Sequence, residues 1–162
     1  THHPSSAASD VYKRQNDAPS TITRLQNMGT PDYLISAACQ LVVAQRLARR
    51  NCKDCKVPDD DVNPKVLQDL GFTAEVASRV KAIKGKGCPK CKDTGYKGRQ
   101  GIYEILTVSK PLKEAILRKA TTPELREIAV KEGFQTMQDM GRRLIASGDL
   151  NFREYERVLS GE

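Results

Sequence analysis

The feature that most constrains this chain is a pair of cysteine hooks, Cys52-Lys-Asp-Cys55 and Cys88-Pro-Lys-Cys91, separated by 32 residues. Two residues between cysteines let the backbone turn so that both sulfurs point at one ion, and two such hooks complete a tetrahedron of thiolates. Cys52, Cys55, Cys88 and Cys91 are therefore the candidate metal ligands, and zinc is the preferred ion. With every position held by thiolate no place is left for water, so the metal is expected to be structural and not catalytic. Iron fits the same tetrahedral sulfur geometry, two disulfides would need an oxidising compartment, and chance spacing is the remaining alternative. Closing a loop of about 40 residues removes on the order of 4 kcal/mol of denatured-chain entropy by the relation used for cross-links.

Zinc with four thiolates carries a formal charge of about −2, which needs compensation. The chain has 27 Lys and Arg against 20 Asp and Glu, net +7. Between Arg79 and Arg99 eight residues are basic and only Asp93 is acidic, and Arg49, Arg50, Lys53 and Lys56 flank the first hook. These cations, with N–H groups at Gly87 and Gly95, are expected to surround the sulfurs.

Other chemistry is excluded. The only imidazoles are His2 and His3, so a histidine base or nucleophile is missing from the rest of the chain. No glycine run followed by Lys and Ser or Thr has the spacing of a phosphate loop. The apolar stretch Leu34–Leu47 is interrupted by Ser36, Gln40, Gln45 and Arg46 and is too short and polar to span a bilayer. The first residues contain no apolar signal-peptide core, so export is not expected.

At 162 residues, with no Trp and 5% aromatic residues, the composition favours one domain or two small ones, mainly α with a small β element. Thr1–Gln15 has no apolar periodicity and reads as a foreign leader, or else as a disordered native tail. Thr30-Pro31 opens a helix expected to run to about Arg50, with Cys39 in it as a small buried hydrophobe. Asn63-Pro64 opens a short helix ended by Gly71, and Thr73 caps another expected to end at Gly85 and Gly87. Gly98–Val108, rich in β-branched and aromatic residues, is the one expected strand. Four helices follow, starting at Ser109, Thr122-Pro123, Thr136 with Asp139, and Asn151 with Glu154, the last pair a capping box in form.

The run Asn16–Leu25 followed by Asn27-Met28-Gly29, then Val43–Arg50 leading to Cys52, both cysteine pairs, and Thr94-Gly95-Tyr96-Lys97-Gly98-Arg99-x-Gly101-Ile102-Tyr103-Glu104, resembles the bacterial type IV pilus assembly and type II secretion motor ATPases, the GspE/PilB-type family. The resemblance covers Asn16 to Glu162. It implies a hexameric cytoplasmic motor that hydrolyses ATP with Mg, associated with the inner membrane through a platform protein. It also implies an organisation: the end of a RecA-like ATPase domain over 16–51, a four-cysteine zinc subdomain over 52–98, and a C-terminal strand and helices over 99–162. In that family Asn16-Asp17 would follow a His-Thr pair near the γ-phosphate, where Arg14-Gln15 stand here, and the phosphate loop and acidic motifs lie upstream. No catalytic or nucleotide-binding residue is therefore carried over, and this stretch is expected to be inactive alone. Lys97 and Arg99 are the contact candidates. The alternative is a free-standing zinc module that binds nucleic acid through its basic run, although only Tyr96 and Tyr103 lie near it as stacking platforms.

Overall fold

Most helices begin where side-chain caps satisfy the first free N–H groups. The computed structural model describes residues 17–160; the leader expected over 1–15 lies outside the described residues. Helix α1 (Ala18–Asn27) is capped by Asp17, whose carboxylate accepts from the Ser20 N–H at 2.7 Å. Pro31 precedes α2 (Asp32–Ala38). Asn63 caps α3 (Pro64–Asp69) and Thr73 caps α4 (Ala74–Arg79). Ser109 caps α5 (Lys110–Leu117), Thr121 with Glu124 boxes α6 (Thr122–Lys131), and Thr136 with Asp139 boxes α7 (Met137–Ala146). Asn151 caps α8 (Phe152–Tyr155), which continues as a π turn over Glu156–Ser160.

Four strands complete the fold: β1 (Leu41–Asn51), β2 (Lys56–Pro58), β3 (Ile83–Gly85) and β4 (Tyr96–Thr107). β1 pairs with β4. Val108 donates to Gln40 at one end of this ribbon and Cys52 to Gly95 at the other, so the strands run antiparallel. β2 and β3 form a second antiparallel pair with Val57 opposite Lys84. The architecture is mainly α with a small β part. Among the described residues no helix is long and apolar enough to cross a membrane.

Three expectations are corrected. The helix opened at Thr30-Pro31 stops at Ala38, and Leu41–Asn51 is a strand. Along β1 burial alternates, with Val42, Ala44, Arg46, Ala48 and Arg50 turned inward and Leu41, Val43, Gln45, Leu47 and Arg49 exposed, which is the period of a pleat and not of a helix. Cys39 accordingly follows α2 in extended backbone and is half-buried, packed against the core. The helix capped by Thr73 ends at Arg79, and Ile83–Gly85 leaves it to pair with β2. The expected strand starts two residues earlier than predicted and is one of four.

The chain divides into two compact units. In the first, residues 17–44 and 104–135, the core joins Ile22, Ile35, Val42, Leu106, Leu112, Ile116 and Leu125. The buried Glu104 carboxylate accepts from the Ala18 N–H at 2.7 Å, filling the start of α1, and Arg126 pairs with the capping Asp17. Leu41, Val43 and Ile105 remain about half exposed on the ribbon. In the second, residues 45–103 and 136–160, Ala48, Leu67, Ile102, Ile145, Leu150 and Tyr155 are buried. There Asn51, with no exposed surface, donates its side-chain amide to Ile83 O at 2.9 Å and Gly148 O at 3.1 Å. Gly141 lets α7 meet Tyr155 and Leu159, since a Cβ would lie 2.4 Å from Leu159.

Candidate metal centre

Each cysteine hook is a single 3₁₀ turn, Lys53–Cys55 after β1 and Pro89–Cys91 after β3. Cys52 enters directly from the end of β1, and Pro89 sets the entry of the second turn. Beyond Cys91 the backbone reverses through Lys92 (φ 53°) and Asp93 (φ 58°), both in left-handed conformation. This brings residues 93–95 back against 85–87. A Cβ on Gly85 would stand 2.1 Å from the Gly95 carbonyl oxygen, so only bare backbone permits the crossing.

The turns bring the four predicted sulfurs together: Cys52, Cys55, Cys88 and Cys91 Sγ all lie within 4.8 Å of one another. Cys52 and Cys88, and likewise Cys55 and Cys91, are 3.9 Å apart, and Cys88 and Cys91 are 3.6 Å apart. A tetrahedron with metal–sulfur bonds of about 2.3 Å requires sulfur separations of about 3.8 Å, whereas a disulfide requires about 2.0 Å. All five cysteines are free thiols. The donor set therefore fits a four-thiolate metal ion such as zinc.

Charge compensation comes chiefly from the backbone. Cys91 Sγ accepts from the Cys88 N–H at 3.2 Å and the Gly95 N–H at 3.3 Å. Burial would push the Cys91 thiol up, but these bonds outweigh it and bring it down to about 6. Burial pushes the Cys55 thiol up to about 12, only partly countered by a hydrogen bond from the Gly87 N–H. The predicted glycines thus supply donors, while half of the predicted cations are engaged with acids. Lys84 pairs with Asp59 at 2.7 Å and Asp61 at 3.2 Å, Arg79 with Glu75, and Arg50 and Lys56 with Asp149. Lys90, which bonds Asp54 at 2.6 Å, is the cation whose charge also feels Cys88 and Cys52. Lys97 and Arg99 are exposed.

Glu154, read from sequence only as part of a capping box, has a larger role. Asn151 does accept from the Glu154 N–H at 2.8 Å. The carboxylate, however, has no exposed surface and receives the Arg49 N–H at 2.7 Å, the Arg49 guanidinium at 2.7 and 2.9 Å, and Arg157. The Arg49 guanidinium lies 4.2 Å over the Tyr96 ring, which leaves that ring poorly placed to stack on a base. No signal within either segment joins residues 49 and 154.

Residues 14–157 match the family described as "Type II/IV secretion system protein". The chain belongs to that family. Within it, the chain is 37% identical over 139 residues to the type IV pilus assembly ATPase PilB of Myxococcus xanthus, covering 86% of this chain and 25% of that protein. It is 40% identical over 126 residues to the PilB of Thermus thermophilus, covering 78% of this chain and 14% of that protein. It is 34% identical over 142 residues to the type II secretion system ATPase E of Vibrio cholerae, covering 78% and 27%. The chain therefore spans about a quarter or less of the length of the first two of these secretion-family relatives.

Proposed function

We propose that this chain is the C-terminal part of a motor ATPase of the type II/IV secretion family, working in type IV pilus assembly or type II secretion. In this reading the whole protein is a cytoplasmic homo-hexamer that binds ATP and Mg upstream of the residues seen here and is associated with the inner membrane through a platform protein. Residues 16–51 are the end of its RecA-like domain, 52–98 a zinc subdomain and 99–162 the C-terminal strand and helices. The half-exposed Leu41 and Val43 support the first assignment, because a strand with apolar residues outward suits the margin of a larger sheet.

The observation that carries the reading is the family match over nearly the whole chain by residues that contain the four converging sulfurs. Cys52, Cys55, Cys88 and Cys91 hold zinc, which when bound supplies a cross-link between the ends of an excursion and no chemistry on a substrate. The chain's own residues then do the remaining work. Gly87 and Gly95 neutralise thiolate charge, Asn51 ties the base of the first hook to the loop before α8, and Lys97 and Arg99 present charge to a partner.

Purified chain supplied with ATP and Mg is expected to show no turnover above a blank, while elemental analysis returns one zinc per chain. Turnover well above the blank would overturn the assignment of ATP chemistry to upstream residues.

A further inference from the structure

Residues 45–103 contain 14 Lys and Arg against 7 Asp and Glu, so this stretch alone accounts for the net +7 of the chain. Within it a cleft of about 290 Å³ is lined by Arg49, Thr94, Tyr96, Gly98 and Arg99. The Tyr96 ring is fixed, because its hydroxyl accepts from the Asn151 amide at 2.9 Å and Arg49 stacks over its face. Glu154 holds Arg49 through Nε and Nη2, at 2.9 and 2.7 Å, leaving Nη1 without an acceptor among the described residues. Arg99, on the other side, is exposed and pairs with no acid among the described residues. Gly98 has φ 81° and an added Cβ would meet nothing within 4 Å, so the rim is open.

The guanidiniums of Arg49 and Arg157 share the single carboxylate of Glu154, leaving one positive charge unmatched, and the exposed Arg99 on the cleft adds a second. Thr94 cannot add a donor, since its hydroxyl is already given to Cys91 O at 2.6 Å. What remains is the N–H edge of one guanidinium held in place and a second free to close on it, an arrangement suited to the two oxygens of a planar carboxylate. Of the five lining residues only Tyr96 is aromatic and Arg49 already covers its face, which leaves little to bury the body of a small metabolite, so a carboxylate received here is carried by something larger.

We propose that the cleft between Arg49 and Arg99 receives a glutamate or aspartate side chain from an acidic segment of a partner protein. The proposal rests on the contact role given above to this face and supplies its chemistry. Pre-organisation of Arg49 by Glu154 and Tyr96 lowers the ordering cost of binding, and the surrounding positive field speeds encounter.

The test uses the metal-loaded chain and an acetylated hexaglutamate peptide at 150 mM salt, read by NMR of the arginine Nε–H signals. The Arg49 and Arg99 signals are expected to move saturably, affinity to fall at least fivefold in Arg99→Gln, and Lys81→Gln, which removes the same charge from an exposed site outside the cleft, to change it less than twofold. Arg99 is exposed and unpaired, so Arg99→Gln keeps its zinc and its circular dichroism. Equal weakening by Lys81→Gln, tighter binding of inorganic phosphate than of the peptide, Arg99-dependent adsorption to phosphatidylglycerol vesicles in its place, or no movement of the two signals would each overturn the proposal. Zinc content and nucleotide turnover test the family reading separately, so its failure is distinguishable from this one.

Discussion

Glu154 shows how one carboxylate organises a region whose members are far apart in sequence. Burial alone would push its pKa up, but hydrogen bonds from Arg157 and Arg49 outweigh burial and hold it down to about 2. An unfolded glutamate titrates near 4.3, so the folded value is the lower one; the stabilisation is complete above roughly pH 4.3 and is lost as pH falls toward 2. Urea titrations of the wild-type chain should show stability dropping through that window. Glu154→Gln should cost about 2–3 kcal/mol at neutral pH, less than a fully buried pair because the arginines are half exposed and can return to water. It should also flatten the acid-side slope, and an unchanged slope would remove Glu154 from the account. In sequence Glu154 is legible only as the third residue after a cap; its partner Arg49 lies on a strand more than a hundred residues earlier, and local spacing carries no information about that pairing.

At the scale of elements, caps were legible and the strand after α2 was not. Asn63, Thr73, Ser109, Thr136 and Asn151, each legible as a helix start, sit there because a short polar side chain satisfies a free N–H, whereas Pro31 and not Thr30 stands before α2, with no side-chain cap bond, and Asp17 was not legible as a cap. Leu34, Ala38, Leu41 and Val42 also fit a helical period, and a short apolar run satisfies both periods at once; pairing with β4 decides in favour of the strand. The pleat makes a test: Leu47 is 51% exposed and its neighbour Ala48 1%. Leu47→Asp should therefore change stability by less than about 1 kcal/mol, whereas Ala48→Asp, which places a charge in the interior, should cost roughly 3 kcal/mol or more. Similar losses in thermal melts of both variants would contradict the alternation.

For the molecule as a whole, the four-sulfur cluster was the most legible feature, because its chemistry is written in spacing alone, and the predicted set Cys52, Cys55, Cys88 and Cys91 is the set that converges. The compact units were less legible, since each takes residues from both sides of the excursion. Cys88→Ser should release the metal and unfold residues 52–91, because a serine hydroxyl is a poor substitute for thiolate. Hydrogen exchange should report the loss there and leave amides of α1 and α5 protected; retention of one zinc with full protection would break the ligand assignment. The interleaving also has a consequence on the ribosome. Neither unit can be completed when Cys91 emerges: the first needs residues through 135, and the one that contains the sulfurs needs residues through 160. At ordinary elongation rates that last interval takes roughly 3 to 14 seconds. For those seconds the hooks and their Gly87 and Gly95 donors are made but the rest of their unit is not, so capture of an ion by the four thiols is expected to compete with oxidation on the nascent chain, and the yield of native protein is expected to follow zinc supply during translation.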